Sequence, residues 1–241
     1  MDCVYCFGRG NKEPTREDRI RIKSKLYKDS YAPGYAPQSV SFSGGGEPLL
    51  YLPVIEEYMQ IFKEIEPRMQ GKPWYYLYTN GLLATKSILR QLKDLGFNEI
   101  RFHLGASDFS NQVLRHLEEA TRYFQAVTVE TPTWPPHRTK LFAMLPVLHD
   151  LGVRHLNLGE IELTKANITR ILEVLPDAEI YQCHEIHLYD GGLAYDLIEE
   201  VVAKGYSYSV LDCSSFVKCI QRGPGKNVHH ESLNGLIAQY P

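Results

Sequence analysis

The sequence lacks the features that mark membrane, secreted and nucleic-acid-binding proteins. It contains no run of about 18 apolar residues that would span a bilayer, and no apolar signal-peptide core follows Met1. It has no excess of basic residues, with 26 lysines and arginines against 29 acidic residues, and so no general attraction for nucleic acid or anionic lipid. We therefore expect a cytoplasmic protein that binds neither membranes nor nucleic acid.

Cysteine is scarce, and its distribution argues against a disulfide scaffold. Five cysteines occur among 241 residues, near the two ends of the chain: Cys3, Cys6, Cys183, Cys213 and Cys219. An odd number suits metal or thiol chemistry in a reducing compartment better than disulfides. The 44% of hydrophobic and 23% of charged residues are typical of a globular protein with a sizeable core, and exclude a disordered or collagen-like chain.

Strand and helix patterns alternate along the chain. Strands joined by helices through short loops indicate an α/β fold with parallel strands, and periodicity alone leaves open whether the sheet is a barrel or an open, doubly wound sheet. No linker divides the chain, so we expect one domain at 1–220 and a tail at 221–241 that forms a loop and a short helix. Strands are predicted at 39–43, 74–78, 99–104, 126–130, 155–158, 179–182 and 206–212, and helices at 16–29, 47–66, 86–95, 112–123, 139–151, 166–175 and 192–204.

The carboxyl ends of the predicted strands are where a parallel sheet places its ligands. Gly44-Gly45-Gly46-Glu47-Pro48 follows the first strand, and Thr79-Asn80-Gly81 follows the second. Glycines let the backbone approach a ligand closely, and Glu47 can accept hydrogen bonds from an ammonium group. Taken alone, the glycine run is more typical of a tight turn with an acid at a helix N-terminus. Further pocket candidates, chosen by position and without a catalytic role, are His103, Ser107, Asp108, Glu130, Arg138 and the strand end from Asn157 to Glu160. The alternative for Arg138 is a solvated loop arginine.

Cys3 and Cys6 form a C-x-x-C pair, a spacing that occurs in zinc sites, dithiol redox sites and iron–sulfur sites. A structural zinc site needs four donors, and no second such pair follows at zinc-finger spacing. A thioredoxin-like pair normally follows a strand, and none is predicted before Cys3. Neither of these two alternatives is well supported.

In their order along the chain, these motifs resemble those of the radical SAM superfamily, in which a C-x3-C-x2-C loop carries a [4Fe–4S] cluster. Cys3 and Cys6 match the second and third cysteines, and Tyr5 matches the aromatic residue that commonly precedes the third. The resemblance therefore implies that Cys3 and Cys6 are cluster ligands and that Tyr5 lies beside the cofactor.

The glycine run extends the resemblance to the second cofactor of that family. Gly45, Gly46 and Glu47 match the GGE motif, which binds the methionyl amino group of S-adenosylmethionine. Thr79 and Asn80 match residues at a strand end that commonly line the same site. The resemblance implies that these five residues bind S-adenosylmethionine.

The chain departs from the family pattern at its beginning. The first cysteine of the motif would lie one position before Met1, and the first strand of the barrel would precede it. We expect that the chain begins late, through truncation or a misplaced start. The alternatives are a relative that has lost the cluster, or recruitment of Cys183, Cys213 or Cys219 as the missing ligand.

The resemblance implies a partial (βα) TIM-like barrel that acts as a radical SAM enzyme. Such an enzyme uses the cluster to cleave S-adenosylmethionine reductively, and the resulting 5′-deoxyadenosyl radical abstracts hydrogen from a substrate, here unidentified. Expected partners are a small-molecule or peptide substrate and an electron donor such as flavodoxin or ferredoxin. The alternative is a non-catalytic or degenerate barrel protein that binds S-adenosylmethionine or a partner without a functional cluster.

Overall fold

The computed structural model describes residues 3–6, 13–43, 46–183, 185–214, 217 and 229–232. They form two compact units, which we name by their candidate functional segments. The glycine-loop unit comprises residues 10–103 and 110–127, and the cysteine-turn unit comprises residues 1–9, 104–109 and 128–241. No helix in the described part of the chain is long and apolar enough to cross a membrane.

The described residues of the glycine-loop unit form three parallel strands and four helices. Its strands pair in the order β1-β2-β3, with Phe42 opposite Leu77 and Thr79 opposite Phe102. Two short 3₁₀ turns, Pro48–Tyr51 and Glu66–Arg68, flank its second helix. The elements are α1 (Arg16–Ser30), β1 (Ser39–Phe42), α2 (Leu52–Ile65), β2 (Trp74–Thr79), α3 (Lys86–Leu95), β3 (Glu99–His103) and α4 (Asn111–Thr121).

Buried and partly exposed residues alternate along β2, and the buried ones form part of the core of this unit. Tyr75, Leu77 and Thr79 are buried, whereas the residues between them are partly exposed. The ring of Tyr75 meets that of Phe62 on α2 edge-on, with centroids 5.5 Å apart. The buried face of the strand thus packs against the apolar stripe of a helix, as the period-2 pattern of a half-buried strand requires.

Helix α3 has the bounds expected from its sequence, residues 86–95. Gly96 follows it in the left-handed conformation, with φ of 106°, and its N–H donates to the carbonyls of Leu92 and Lys93. Glycine adopts this conformation without the steric cost that a Cβ adds. The prediction that Gly96 ends this helix is confirmed.

The cysteine-turn unit holds two kinds of sheet. Strands β4, β5 and β9 are parallel and pair in that order, whereas β10, β7, β8 and β6 form an antiparallel sheet in that order. The elements are β4 (Ala126–Pro132, of which this unit includes residues from Thr128), α5 (Arg138–Asp150), β5 (His155–Gly159), β6 (Ile161–Glu162), α6 (Ile168–Val174), β7 (Glu179–Cys183), β8 (Glu185–Leu188), α7 (Leu193–Lys204), β9 (Ser209–Asp212) and β10 (His229–Ser232).

The antiparallel sheet corrects two predictions. The strand predicted at 179–182 is not one of the parallel series, because β7 pairs antiparallel with β8, with Cys183 opposite Glu185. The tail is predicted to form a loop and a short helix, but its residues 229–232 form strand β10, which pairs with β7. The rest of the tail, with the predicted helix, lies outside the described residues. The direction of β7 and the formation of β10 both depend on pairing with a partner strand, which the local pattern does not specify. The domain boundary at residue 220 lies among residues that the structure does not describe and stays a prediction.

Candidate functional site

The two cysteines of the C-x-x-C pair lie on one tight turn in the cysteine-turn unit. The N–H of Cys6 donates to the carbonyl oxygen of Cys3 at 3.0 Å, and both side chains are partly buried. The Cys3 thiol lies 3.9 Å from the carbonyl oxygen of Ala106, to which it donates. A turn of this kind presents two sulfur donors from a segment of four residues, which is the arrangement that a C-x-x-C pair offers to a metal or a cluster.

Asn167 holds the middle of this turn. Its side chain is fully buried, and its Nδ2 donates to the carbonyl oxygens of Tyr5 at 3.1 Å and Glu162 at 2.8 Å. Its Oδ1 accepts from the N–H of Thr164 at 2.8 Å. Each donor of the amide and its oxygen therefore has a partner, as a polar group without access to water requires.

Arg170, on α6, holds the two ends of the turn. Its Nη1 donates to the carbonyl oxygen of Cys3 at 2.9 Å, and its Nη2 donates to that of Cys6 at 3.3 Å. Nη2 also lies 3.3 Å from the carbonyl oxygen of Ala166. The rigid fork of the guanidinium group suits such a bridge, and it brings a positive charge to both cysteines.

Tyr5 anchors the turn by its ring. The side chain is buried against Trp134, with ring centroids 5.8 Å apart, and meets His137 edge-on at 6.2 Å. Desolvation by burial, aided by the nearby cysteines, holds the pKa of the Tyr5 hydroxyl well above its usual range, so the phenol stays neutral near pH 7. The structure thus places Tyr5 in an apolar cluster that also contains Ile161 and Ile180. Contact of Tyr5 with a cofactor stays a prediction.

The cysteine turn supplies two of the thiols that an iron–sulfur cluster would need. Thiolates are the ligands that such clusters take, and Cys3 and Cys6 supply two from one turn. Among the described residues, no group of three or more His, Cys, Asp or Glu side chains is placed to hold a metal ion. The Cys183 side chain and Cys219 lie outside the described residues, and the N–H of Cys213 donates to the carbonyl of Leu158 at 2.7 Å. Among the described residues, no third thiol is therefore placed together with Cys3 and Cys6.

In the glycine-loop unit, Glu47 joins the ends of two strands. The side chain is buried, and its Oε1 accepts from the N–H of Leu49 at 3.1 Å and from the hydroxyl of Thr79 at 2.8 Å. Its Oε2 accepts from the N–H of Asn80 at 2.7 Å. The hydroxyl of Thr79 accepts in turn from the N–H of Gly81 at 3.0 Å. Three predicted site residues, Glu47, Thr79 and Asn80, are thereby brought together.

The environment of Glu47 affects its charge in two opposing ways. Burial, the larger effect, raises the pKa of the carboxyl group, and the hydrogen bonds from Asn80, Thr79 and Leu49 lower it. A cation placed beside this carboxylate would favour the ionised form further. Gly46 has a positive φ of 124°, and Gly44 and Gly45 lie outside the described residues. Binding of a ligand by Gly45, Gly46 and Glu47 stays a prediction.

Gly81 shows why glycine follows Thr79-Asn80. Its φ is +81°, and a Cβ at this position would lie 2.5 Å from Val113 Cγ1 and 2.8 Å from Phe102 Cδ1. The carbonyl oxygen of Gly81 lies 2.8 Å from Nδ1 of His116 on α4. Sequence reasoning missed His116, because no local pattern links it to a loop 35 residues earlier.

The other candidates fall into separate groups. In the cysteine-turn unit, Nδ2 of Asn157 donates to Oε1 of Glu130 at 2.8 Å, across the paired strands β4 and β5. Arg138 forms an exposed ion pair with Asp196 at 2.8 Å, which agrees with a solvated surface arginine. The remaining three are separate from these pairs: His103 ends β3 in the glycine-loop unit, the Ser107 hydroxyl donates to the Leu104 carbonyl at 3.0 Å, and Asp108 binds Lys140 at 2.5 Å.

A cavity of about 170 Å³ lies within the cysteine-turn unit. Three of its lining residues lie at or just after the carboxyl ends of β4, β5 and β9: Thr133, Glu160 and Asp212. Asp190, in the loop before α7, and Tyr195, in its first turn, also line it. The cavity thus occupies the position where parallel strands place their ligands.

Comparison with known proteins identifies the family. A model of the radical SAM superfamily matches residues 1–131. The chain belongs to the radical SAM superfamily. This confirms the resemblance seen in the cysteine and glycine motifs.

This radical SAM protein is similar to a curated protein and, in its fold, to two solved structures of another protein. An uncharacterized protein of Methanocaldococcus jannaschii is 25% identical over 138 residues, which are 53% of this chain and 42% of the relative. Among solved structures, anSMEcpe with bound AdoMet has a TM-score of 0.56 and 17% identity. Native anSMEcpe with bound AdoMet and the Cp18Cys peptide has a TM-score of 0.54 and 16% identity. The match covers 87% of this chain and 59% of the anSMEcpe chain in both structures, so this chain spans less than two thirds of the proteins it resembles. The shared fold confirms the predicted α/β class with a partial (βα) TIM-like barrel.

Proposed function

We propose that this chain forms the core of a radical SAM enzyme. In this proposal Cys3 and Cys6 bind two irons of a [4Fe–4S] cluster, and a third thiolate comes from outside the described residues. The observation that carries the proposal is the cysteine turn, in which two thiols lie on one short segment whose carbonyls accept hydrogen bonds from Asn167 and Arg170. A ligand pair fixed before binding reduces the ordering cost when the cluster forms.

The glycine-loop unit supplies the residues proposed to bind S-adenosylmethionine. Glu47 offers a buried carboxylate to the methionyl ammonium group, and Thr79 and Asn80 fix the orientation of that carboxylate by hydrogen bonds of 2.8 and 2.7 Å. Gly45 and Gly46 precede it without side chains, so that the backbone can approach the cofactor. When both groups are bound, reductive cleavage of S-adenosylmethionine supplies a radical that abstracts hydrogen from the substrate.

The cavity in the cysteine-turn unit is the proposed substrate site. Its volume of about 170 Å³ suits a small molecule or one side chain of a peptide. Glu160, Asp190 and Asp212 lie in its wall, so a neutral or cationic group is favoured over a carboxylate or phosphate. An electron donor such as flavodoxin or ferredoxin completes the proposed reaction.

Anaerobic reconstitution of the full-length natural protein with iron and sulfide tests this function. We expect absorption at about 400 nm and bound iron and sulfide in the protein. Addition of dithionite and S-adenosylmethionine should then form 5′-deoxyadenosine. The variants Cys3→Ser and Cys6→Ser should lose the cluster, and Cys213→Ser should keep it. A protein that takes up no iron, or that keeps full cluster content without Cys3 and Cys6, contradicts the proposal.

The alternative function is a barrel protein that binds S-adenosylmethionine without a functional cluster. The observation that favours it is that the described residues supply two thiolates and no third donor at the turn. Calorimetric titration of the iron-free protein with S-adenosylmethionine separates the two functions. Binding without iron that is abolished by Glu47→Gln, together with no 5′-deoxyadenosine after reconstitution, supports the alternative.

A further inference from the structure

The residues that hold the cysteine turn lie outside the part of the chain that matches the family. That match ends at residue 131, whereas Asn167 and Arg170 lie at the start of α6. Together they bind three of the four carbonyl groups in the turn, those of Cys3, Tyr5 and Cys6. Residues from the second half of the chain therefore hold the first four described residues by hydrogen bonds.

We infer that Arg170 is a positioning residue for the iron–sulfur cluster, fixing the cysteine turn and raising the reduction potential of the bound cluster. This inference rests on the proposed function. The contacts that support it are the 2.9 Å and 3.3 Å hydrogen bonds from the two Nη atoms to the carbonyls of the two cysteines. Both ends of the turn are thus bound by one planar group, and loss of this side chain removes both of these hydrogen bonds, while the hydrogen bond from the Cys6 N–H to the Cys3 carbonyl stays.

The planar fork of the Arg170 guanidinium group makes contacts that a lysine could not make. A lysine at this position carries the same charge on a single point and cannot span both carbonyls in a fixed plane. The hydrogen bond from Asn167 to the carbonyl of Tyr5, inside the turn, does not involve Arg170. Loss of Arg170 is therefore expected to loosen the cysteines at the ends of the turn while its centre stays in place.

The charge of Arg170 affects the cluster through electrostatics. Reduction adds a negative charge to the cluster, and a nearby guanidinium group stabilises the reduced form more than the oxidised form. Hydrogen bonding and charge around the ligands are known means of tuning such potentials. Removal of this charge is therefore expected to make the potential more negative.

Two variants and a matched control test the inference. Arg170→Lys keeps the charge and loses the fork, and Arg170→Gln loses the charge. Arg154→Gln is the control, because it removes an exposed arginine of the same unit. Thermal denaturation of each variant verifies that it folds.

The first measurement needs no cofactor. The rates at which iodoacetamide alkylates Cys3 and Cys6 are followed by mass spectrometry in the iron-free protein, with Cys213 as the internal reference. Arg170→Lys keeps the charge that favours the thiolate form, so its alkylation rate reports the loosening of the turn alone. We expect it to react at least about threefold faster at the two turn cysteines, with the reference rate and Arg154→Gln unchanged. Equal rates in wild type and in folded Arg170→Lys overturn the positioning role.

The second measurement is the midpoint potential of the reconstituted cluster in the full-length natural protein, followed by electron paramagnetic resonance. We expect Arg170→Gln to lower the equilibrium constant for one-electron reduction at least about tenfold, a shift of about 59 mV, and Arg170→Lys to shift it less. A potential that is equal in wild type and Arg170→Gln overturns the electrostatic role. If the wild type forms no cluster, the proposed function and the electrostatic role both fail, and the alkylation rates still decide the positioning role.

Discussion

Asn167→Asp is a nearly isosteric change that tests how the cysteine turn is held. It replaces Nδ2, which donates to the carbonyls of Tyr5 and Glu162, by an oxygen. Both carbonyls then face an acceptor in a site without solvent, because the side chain of Asn167 has no exposed surface. The shape of the residue is kept, so any effect arises from the hydrogen bonds and the charge.

The expected loss of stability is large for a single substitution. Each buried acceptor that loses its donor costs about 1–3 kcal/mol, and two are lost here. An ionised carboxylate facing two carbonyls adds the cost of burying an unpaired charge. We therefore expect the free energy of unfolding to fall by about 3 kcal/mol or more at pH 7.

The pH dependence of this variant has a defined sign. Burial raises the folded-state pKa of an introduced carboxyl group above its unfolded value of about 3.9. The neutral acid is tolerated better than the carboxylate, so the penalty is smallest below about pH 4 and grows as the pH rises through the folded-state pKa. The destabilisation relative to wild type should therefore increase from pH 4 to pH 7.

Urea unfolding followed by circular dichroism at several pH values measures both quantities. Asn111→Asp is the matched control, since Asn111 is exposed in the first turn of α4, where an added acid is neutral or slightly stabilising. A loss below about 1 kcal/mol in Asn167→Asp, or a loss equal to that of the control, would refute the role assigned to Asn167. Iodoacetamide alkylation of Cys3 and Cys6 should also be faster in this variant than in wild type.

Two further predictions concern the glycine-loop unit. Burial raises the pKa of Glu47 in the folded protein. Wild type should therefore be more stable than Glu47→Gln at about pH 4, and this advantage should fall as the pH rises through the folded-state pKa. A difference in the free energy of unfolding that stays constant with pH in urea titrations would contradict this. Gly81→Ala should lower the free energy of unfolding by about 2 kcal/mol or more, because a Cβ would lie 2.5 Å from Val113 in a left-handed conformation. Gly191→Ala is the control, because Gly191 has φ of +67° and a Cβ there would have no atom within 4 Å. This variant should lose only about 1 kcal/mol of stability in thermal denaturation. Equal losses in the two variants would show that crowding at Gly81 is unimportant.

Local sequence patterns predicted much of the glycine-loop unit. The amphipathic run at 86–95 and the glycine after it define both ends of α3, because the hydrogen bonds of a helix and its cap join residues only a few positions apart. The placement of Thr79 and Asn80 beside Glu47 follows from a similar rule, since parallel neighbouring strands bring their carboxyl ends to one edge.

Such local patterns could not predict the antiparallel sheet. The pattern at 179–182 predicted a strand correctly but gave no information on its direction. Strand direction is decided by pairing with β8 and β10, and β10 lies in a segment predicted as loop and helix. Alternation of side chains is the same in parallel and antiparallel strands, so only the pairing itself distinguishes them.

By itself, the sequence determined the family, because the cysteine pair and the GGE run are contiguous motifs that can be identified without knowledge of any distant partner. Only the tertiary structure decided what holds the cysteines. Asn167 lies 162 residues from Tyr5, and Arg170 lies 167 residues from Cys3. Backbone carbonyls carry no side-chain signature, so the hydrogen bonds that fix this turn exist only once the chain has folded.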